Sequence, residues 1–267
     1  MSGMGAWKKL AGLFEAGEPL VYGYRIPEAP KVELAVMAET MASFDDYQWG
    51  RYAFSREPLE GRFDEEEKRR YTEEANRCGR EWARDLAERY GEKRPRLLAQ
   101  KMGLRIHTLD RPTGGGQVLF AQFVRPDEIT VFTDCVRRAG ALREESGCPL
   151  LEPERLMDVL LAHELFHGVE EQNADRIYTR TEKVELWRKP FSNRSTIACL
   201  SEMAAMAFAK ELLGLSASPY MLDVLLLYAY SREQAWALYD EICVLAGLKE
   251  NGPGKGRGEG GMQDADN

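Results

Sequence analysis

The sequence is poor in histidine and cysteine. Histidine occurs three times and cysteine five times among 267 residues, and no two cysteines form a C-x-x-C pair. An odd number of scattered cysteines argues against a closed disulfide framework, and it predicts reduced thiols.

Long apolar runs and an excess of positive charge are also missing. No stretch reaches the roughly 18 apolar residues that a membrane span needs, and the first apolar segment is interrupted too often for a signal peptide. The formal net charge of −8 supplies no electrostatic footprint for nucleic acid. We therefore predict a cytoplasmic protein with no membrane span and no nucleic-acid partner. Its oligomeric state stays open.

Two of the few histidines lie four positions apart, in the segment H-E-L-F-H at residues 163–167. Apolar residues around this segment recur at helical spacing and Pro153 suits a first helical turn, so one largely buried helix is predicted. Residues four apart on a helix share a face, and His163 and His167 can therefore bind one metal ion. This spacing is typical of a catalytic zinc site, in which Glu164 would be the general base acting on water.

Such a site needs a third ligand, and Glu202 is the strongest candidate. It is the one charged residue in the thirteen-residue run from Ile197 to Ala209. A carboxylate buried there must be neutralised, paired or coordinated. Two alternatives stay open. Glu171, four residues after His167, is a competing ligand on the same helix face, and Glu202 could instead form a buried ion pair with an arginine such as Arg194.

Periodicity predicts an α+β chain that is mostly helical, with a small and mainly antiparallel sheet before the helix that carries His163 and His167. The three predicted strands, where the apolar period changes to two, are 104–109, 117–124 and 129–133. A glycine-rich turn at 114–116 separates the first two. The predicted organisation is an N-terminal extension (1–62) with a short amphipathic helix near Trp7, a catalytic domain (63–249) and a glycine-rich disordered tail (250–267).

The helix around Glu202 also carries a family resemblance. Its sequence E-M-A-A-M-A-F-A-K-E-L-L is similar to the second motif of the ImmA/IrrE-like metallopeptidases, in which Glu-x-x-Ala-Asn-x-Phe-Ala-x-x-Leu-Leu follows an H-E-L-G-H helix. Met206 stands where that family usually has Asn, and Phe166 stands where it has Gly. The order of elements is similar over about residues 80–215. The matching positions are Glu202, Ala205, Phe208, Ala209, Leu212 and Leu213.

The resemblance implies a zincin-like metallopeptidase domain with Zn²⁺ as cofactor. His163, His167 and Glu202 would be its ligands and Glu164 the catalytic base. Members of the family are bacterial or phage-related intracellular proteins, and several cleave a regulatory protein such as a transcriptional repressor. The expected partner is therefore a peptide or protein substrate.

The substrate is expected to lie extended along the strand 117–124 and pair with its backbone. Tyr178 and His107 are candidate donors to the oxyanion that peptide hydrolysis forms. Two other functions stay open. One is a catalytically silent zinc-binding module that regulates or binds proteins through Phe166 and the acidic segment 170–185. The other is a metal-free helical protein whose motif is accidental.

Overall fold

The computed structural model describes residues 29–110, 120–187 and 193–249. The predicted amphipathic helix near Trp7, the turn 114–116 and the predicted disordered tail lie outside these ranges. The described chain is mostly helical with two small sheets, as an α+β fold requires. Within these ranges, none of the helices combines the length and the apolar character that a membrane crossing requires.

The helices and strands are numbered in chain order. The helices are α1 (Leu34–Ala42), α2 (Asp46–Ser55), α3 (Glu65–Tyr90), α4 (Pro95–Lys101), α5 (Thr133–Gly140), α6 (Arg143–Ser146), α7 (Pro153–Gln172), α8 (Tyr178–Thr181), α9 (Ala198–Leu213), α10 (Leu222–Tyr228) and α11 (Arg232–Leu245). The strands are β1 (Arg105–Leu109), β2 (Ala121–Val124), β3 (Glu128–Phe132), β4 (Lys183–Trp187) and β5 (Asn193–Thr196).

Helices α1 and α2 belong to the same hydrophobic core as the rest of the described chain. Met37 and Met41 of α1 and Trp49 and Phe54 of α2 are almost completely buried in it. The predicted extension 1–62 therefore contains two helices that pack against the predicted catalytic domain.

Helix α3 has a recognisable local signal at each end. Asp64 accepts a hydrogen bond from the Glu67 amide at 2.8 Å and Glu67 accepts one from the Asp64 amide at 3.1 Å, which closes a capping box. At the other end Gly91 adopts a left-handed conformation with φ of 60°, which glycine adopts without a steric penalty. The helix boundaries were predictable because both ends depend on local residues.

Gly79 allows α3 and α9 to approach each other closely. A Cβ atom at this position would lie 2.1 Å from the carbonyl oxygen of Ala204 and 2.9 Å from the amide nitrogen of Phe208. Both are backbone atoms, so a side chain at Gly79 forces the helices apart.

We expect Gly79→Ala to lower the free energy of unfolding by about 1–3 kcal/mol or more, the usual cost of overpacking. Urea unfolding of the variant measures the effect. Gly61→Ala is the matched control, because a Cβ atom at Gly61 meets nothing within 4 Å. Equal unfolding midpoints for the two variants would contradict the close approach.

The three-stranded sheet has the order β1–β3–β2, with β3 in the centre. Strands β2 and β3 are antiparallel and joined by a turn at 125–127, whereas β1 and β3 are parallel. The prediction of a mainly antiparallel sheet was therefore wrong for one of its two pairings. The hairpin formed by β2 and β3 places β3 between β1 and β2, so the order of strands in the sheet differs from their order in the chain. Strand periodicity carries no information about this order.

The segment after α7 is polar but structured. Residues 170–195 hold the end of α7, the short helix α8, the strand β4 and most of β5. Strand β4 pairs with β5 as a separate antiparallel ribbon. Asn193 and Arg194 of β5 are exposed, and its sequence N-R-S-T lacks the apolar alternation by which strands are recognised.

Candidate metal centre

Two packed helices, α7 and α9, carry the predicted ligands. Helix α7 begins at Pro153, as expected, and it is buried on most of its circumference. Helix α9 is apolar nearly all round and ends before Gly214, which adopts a left-handed conformation with φ of 61°. The two helices contact each other through Phe166 and Phe208, whose ring centres lie 5.5 Å apart.

The side chains of His163, His167 and Glu202 converge between these helices. The Nε2 atoms of the two histidines lie 3.3 Å apart. The carboxylate oxygens of Glu202 lie 3.4 Å from His163 Nε2 and 3.8 Å from His167 Nε2. One potential ligand atom from each residue therefore falls within 4.8 Å of the others.

These distances fit a tetrahedral metal ion. Zinc binds histidine nitrogen and carboxylate oxygen at about 2.0–2.2 Å, so tetrahedral ligand atoms are roughly 3.4 Å apart. The two histidine Nε2 atoms and the pair formed by His163 Nε2 and a Glu202 oxygen match this value. Two imidazoles and one carboxylate are also a donor set that zinc accepts in catalytic sites.

Glu164 lies beside this group and is only 3% exposed. Burial raises the pKa of its carboxyl group, although the neighbouring histidines and a hydrogen bond from the Phe123 amide lower it. A carboxylate with a raised pKa accepts a proton more readily at neutral pH, as a general base must.

The charge of the site favours a cation. Burial lowers the pKa of His167, but the hydrogen bond to Glu170 and the negative charges of Glu202, Glu170 and Glu164 outweigh burial and raise it to about 9. Three carboxylates thus surround two imidazoles in a region shielded from water, where charge interactions are strong. A divalent cation would offset the repulsion among them.

Among the described strands, β2 is an edge of its sheet, and it lies next to Glu164. Phe132 donates a backbone hydrogen bond to Phe120 at 3.0 Å, and Ala121 and Phe123 then lie opposite Val131 and Ile129. Hydrogen-bonded and non-bonded pairs alternate in an antiparallel ladder, so the amides and carbonyls of Ala121 and Phe123 point away from β3. The hydrogen bond from the Phe123 amide to Glu164 agrees with this orientation.

The two alternatives for the third ligand do not fit the structure. Glu171 forms an ion pair with Arg125 at 2.8 Å instead of approaching the histidines. Arg194 lies exposed on β5, whereas Glu202 forms ion pairs with His163 and His167.

The candidate oxyanion donors His107 and Tyr178 lie on β1 and α8, not on the helices that carry the proposed ligands. His107 is exposed on β1, which lies at the opposite edge of the sheet from β2. Tyr178 is partly buried, and the charged groups that act on its hydroxyl are Glu182, Glu74 and Arg70. Both roles stay predictions, because a residue type alone does not indicate which way its strand or helix faces.

Two residues of the suggested interaction surface are buried in the structure. Phe166 is fully buried against Phe208 and Glu170 is fully buried beside His167. Glu170 is a residue of the site that the sequence reasoning missed. Its position three residues after His167 was the available signal, since helical neighbours at that spacing meet.

A further buried carboxyl group, that of Asp223, lies near the candidate metal centre. It is 1% exposed and accepts a hydrogen bond from the Tyr52 hydroxyl at 2.8 Å. Burial raises its pKa to about 7, although the Tyr52 hydrogen bond and the positive charge of Arg56 lower it. Its folded pKa is therefore above the ordinary value of 3.8. The folded protein favours the protonated form, so stability falls as pH rises from about 4 to about 7.

We expect Asp223→Asn to remove this loss of stability at higher pH, because Asn keeps an acceptor for the Tyr52 hydroxyl and cannot ionise. At pH 8 the variant should be more stable than the wild type by on the order of a few kcal/mol. Below pH 4 the difference should disappear. Chemical unfolding at a series of pH values measures it, and an equal pH dependence in both proteins would contradict a raised pKa for Asp223.

Comparisons of the chain with protein-family models, with curated proteins and with solved structures find no match.

Proposed function

We propose that the protein is a zinc-dependent metallopeptidase that hydrolyses peptide bonds of a protein substrate. The observation that carries the proposal is the convergence of His163, His167 and Glu202 within 4.8 Å, next to the buried carboxyl group of Glu164. A core helix without a metal would have to bury these polar groups at a cost of several kcal/mol.

His163, His167 and Glu202 would hold the metal. When bound there, zinc supplies Lewis-acid chemistry, which lowers the pKa of water to about 7 and polarises a carbonyl group. The protein's own contribution to the reaction is Glu164. Its carboxylate takes a proton from the attacking water as the water oxygen adds to the scissile carbonyl carbon. Glu164 then passes that proton to the amide nitrogen, and the carbon–nitrogen bond breaks.

An extended peptide would pair with the free edge of β2. The outward amide of Ala121 and the outward carbonyls of Ala121 and Phe123 are available for such pairing. The edge lies beside Glu164, so a peptide bound to it would bring a scissile bond close to the base. Strand addition of this kind supplies backbone hydrogen bonds and leaves specificity to side-chain pockets.

We also propose that the domain is zincin-like and related to the ImmA/IrrE-like metallopeptidases. Two motifs on packed helices support this relation, and both departures from the family pattern lie outside the proposed ligands. Phe166 fills a fully buried core position, and Met206 is 2% exposed. We propose a cytoplasmic location and an intracellular regulatory protein as the substrate.

A mixture of fluorescence-quenched peptides of varied sequence tests the function, because it samples many cleavage sites at once. Zinc-loaded protein should cleave some of them, and a chelator should stop cleavage until zinc is restored. Cleavage that persists in the chelator would contradict a metallopeptidase. Metal binding without cleavage of any peptide would favour the silent zinc-binding module.

A further inference from the structure

Glu170 is a buried carboxylate with four polar neighbours from three helices. It is fully buried on α7. Its Oε2 atom lies 3.1 Å from His167 Nδ1 and accepts a hydrogen bond from the Ser201 hydroxyl at 2.6 Å. Its Oε1 atom accepts a hydrogen bond from the Thr179 hydroxyl, and the Arg180 guanidinium lies 3.5 Å away.

The groups around the Glu170 carboxylate are donors. Thr179 and Ser201 each donate a hydroxyl hydrogen bond to it, and the positively charged Arg180 guanidinium lies 3.5 Å away. An ionised carboxylate only accepts hydrogen bonds. The neighbouring ring nitrogen of His167 must therefore carry a proton and donate it.

The other ring nitrogen of His167 faces the proposed ligands. With Nδ1 directed at Glu170, Nε2 lies 3.3 Å from His163 Nε2 and 3.8 Å from a Glu202 oxygen. A histidine binds zinc through an unprotonated nitrogen, and a hydrogen bond at the opposite nitrogen determines which nitrogen that is.

We propose that Glu170 is a positioning residue that orients the His167 ring and keeps its Nε2 atom available for the metal. The inference rests on the proposed zinc site and adds a residue to it. Ser201 contributes from α9, because its hydroxyl bonds to Glu170 and lies 3.3 Å from His167 Nδ1. The same helix thus carries the third ligand and a group that holds the orienting carboxylate.

A purely structural role is the competing explanation. Glu170 also joins α7 to α8 through Thr179 and to α9 through Ser201. Loss of these bonds would destabilise the metal-free protein. The two roles are separated by measuring metal binding and metal-free stability in the same variants.

The test compares Glu170→Gln with Glu171→Gln. Gln keeps the length and an acceptor oxygen of Glu170 but removes its charge. We expect zinc affinity to fall about 10–100-fold in Glu170→Gln, which is the usual effect of losing a hydrogen bond that orients a metal ligand. Competition with a chelator measures this affinity. The visible absorption of the cobalt-substituted protein should also change, because it reports the metal geometry. Glu171→Gln should match the wild type in both measurements, since Glu171 pairs with Arg125.

Each result has a distinct meaning. Wild-type zinc affinity and cobalt absorption in a folded Glu170→Gln protein would overturn the inference. Absence of zinc binding in the wild type would instead overturn the proposed function. If Glu170→Gln does not fold, Ser201→Ala and Thr179→Val each remove one hydrogen bond to Glu170. A smaller loss of zinc affinity in both then supports the inference, and unchanged affinity in both overturns it.

Discussion

His163→Ala and Glu202→Ala are each expected to abolish zinc binding, whereas the wild-type protein is expected to bind one zinc ion per chain. Each variant deletes one of three protein ligands. Zinc affinity should therefore fall by more than the roughly 10–100-fold that is typical when only a hydrogen bond to a metal ligand is removed. Elemental analysis after dialysis against a limiting chelator measures the retained metal.

Glu171→Ala is the matched control for this experiment. It removes a carboxylate from the same helix, but one that is paired with Arg125. The control should retain zinc as the wild type does. Zinc should also raise the unfolding temperature of the wild type and the control, because a ligand that binds only the folded state stabilises it. No such increase is expected for His163→Ala or Glu202→Ala.

A wild type that takes up no zinc, even after reconstitution, would contradict the metal site. The helices α7 and α9 would then be core helices with an accidental motif. Zinc that is retained in Glu202→Ala but lost in His163→Ala would indicate that another residue supplies the third ligand.

Glu164→Gln is expected to abolish peptide hydrolysis while the protein keeps its zinc. Gln has nearly the same shape as Glu but cannot take a proton from water. Removal of a general base commonly costs about 10²–10⁴-fold in rate. Cleavage of the quenched peptides by equal amounts of zinc-loaded wild type and variant measures the loss.

The zinc content of Glu164→Gln separates catalysis from metal binding. Glu164 is adjacent to the ligands but is not one of them, so the variant should contain one zinc per chain. Glu171→Gln serves as the activity control and should cleave at the wild-type rate. Full activity in Glu164→Gln would eliminate Glu164 as the base and with it the proposed mechanism.

The elements that were predicted well depend on short-range signals. Helix α3 was predictable from Asp64 and Gly91, which act within a few residues of the helix ends. The spacing of His163 and His167 indicates a shared face because both lie on one continuous helix. Glu202 was identified by a different argument. It is a carboxylate in an apolar run, and burying a carboxylate there without a partner would be costly.

The elements that were missed depend on contacts between distant segments. The parallel pairing of β1 with β3 follows from the insertion of a hairpin, which periodicity does not report. His107 was a plausible donor by residue type, yet it lies on the far edge strand. Glu170 has an ordinary place in the sequence, and its importance depends on hydroxyl groups from α8 and α9.

The sequence by itself determined that the protein is mostly helical and which residues suit a metal. Hydrophobic period, helix caps and the cost of burying charge act locally, and so they can be deduced from the order of residues. Only the tertiary structure decided that α7 and α9 pack with their polar groups facing one another, that the β2 edge faces Glu164, and that Glu170 contacts His167. Those features depend on long-range packing, in which residues far apart in the chain determine which way each side chain points.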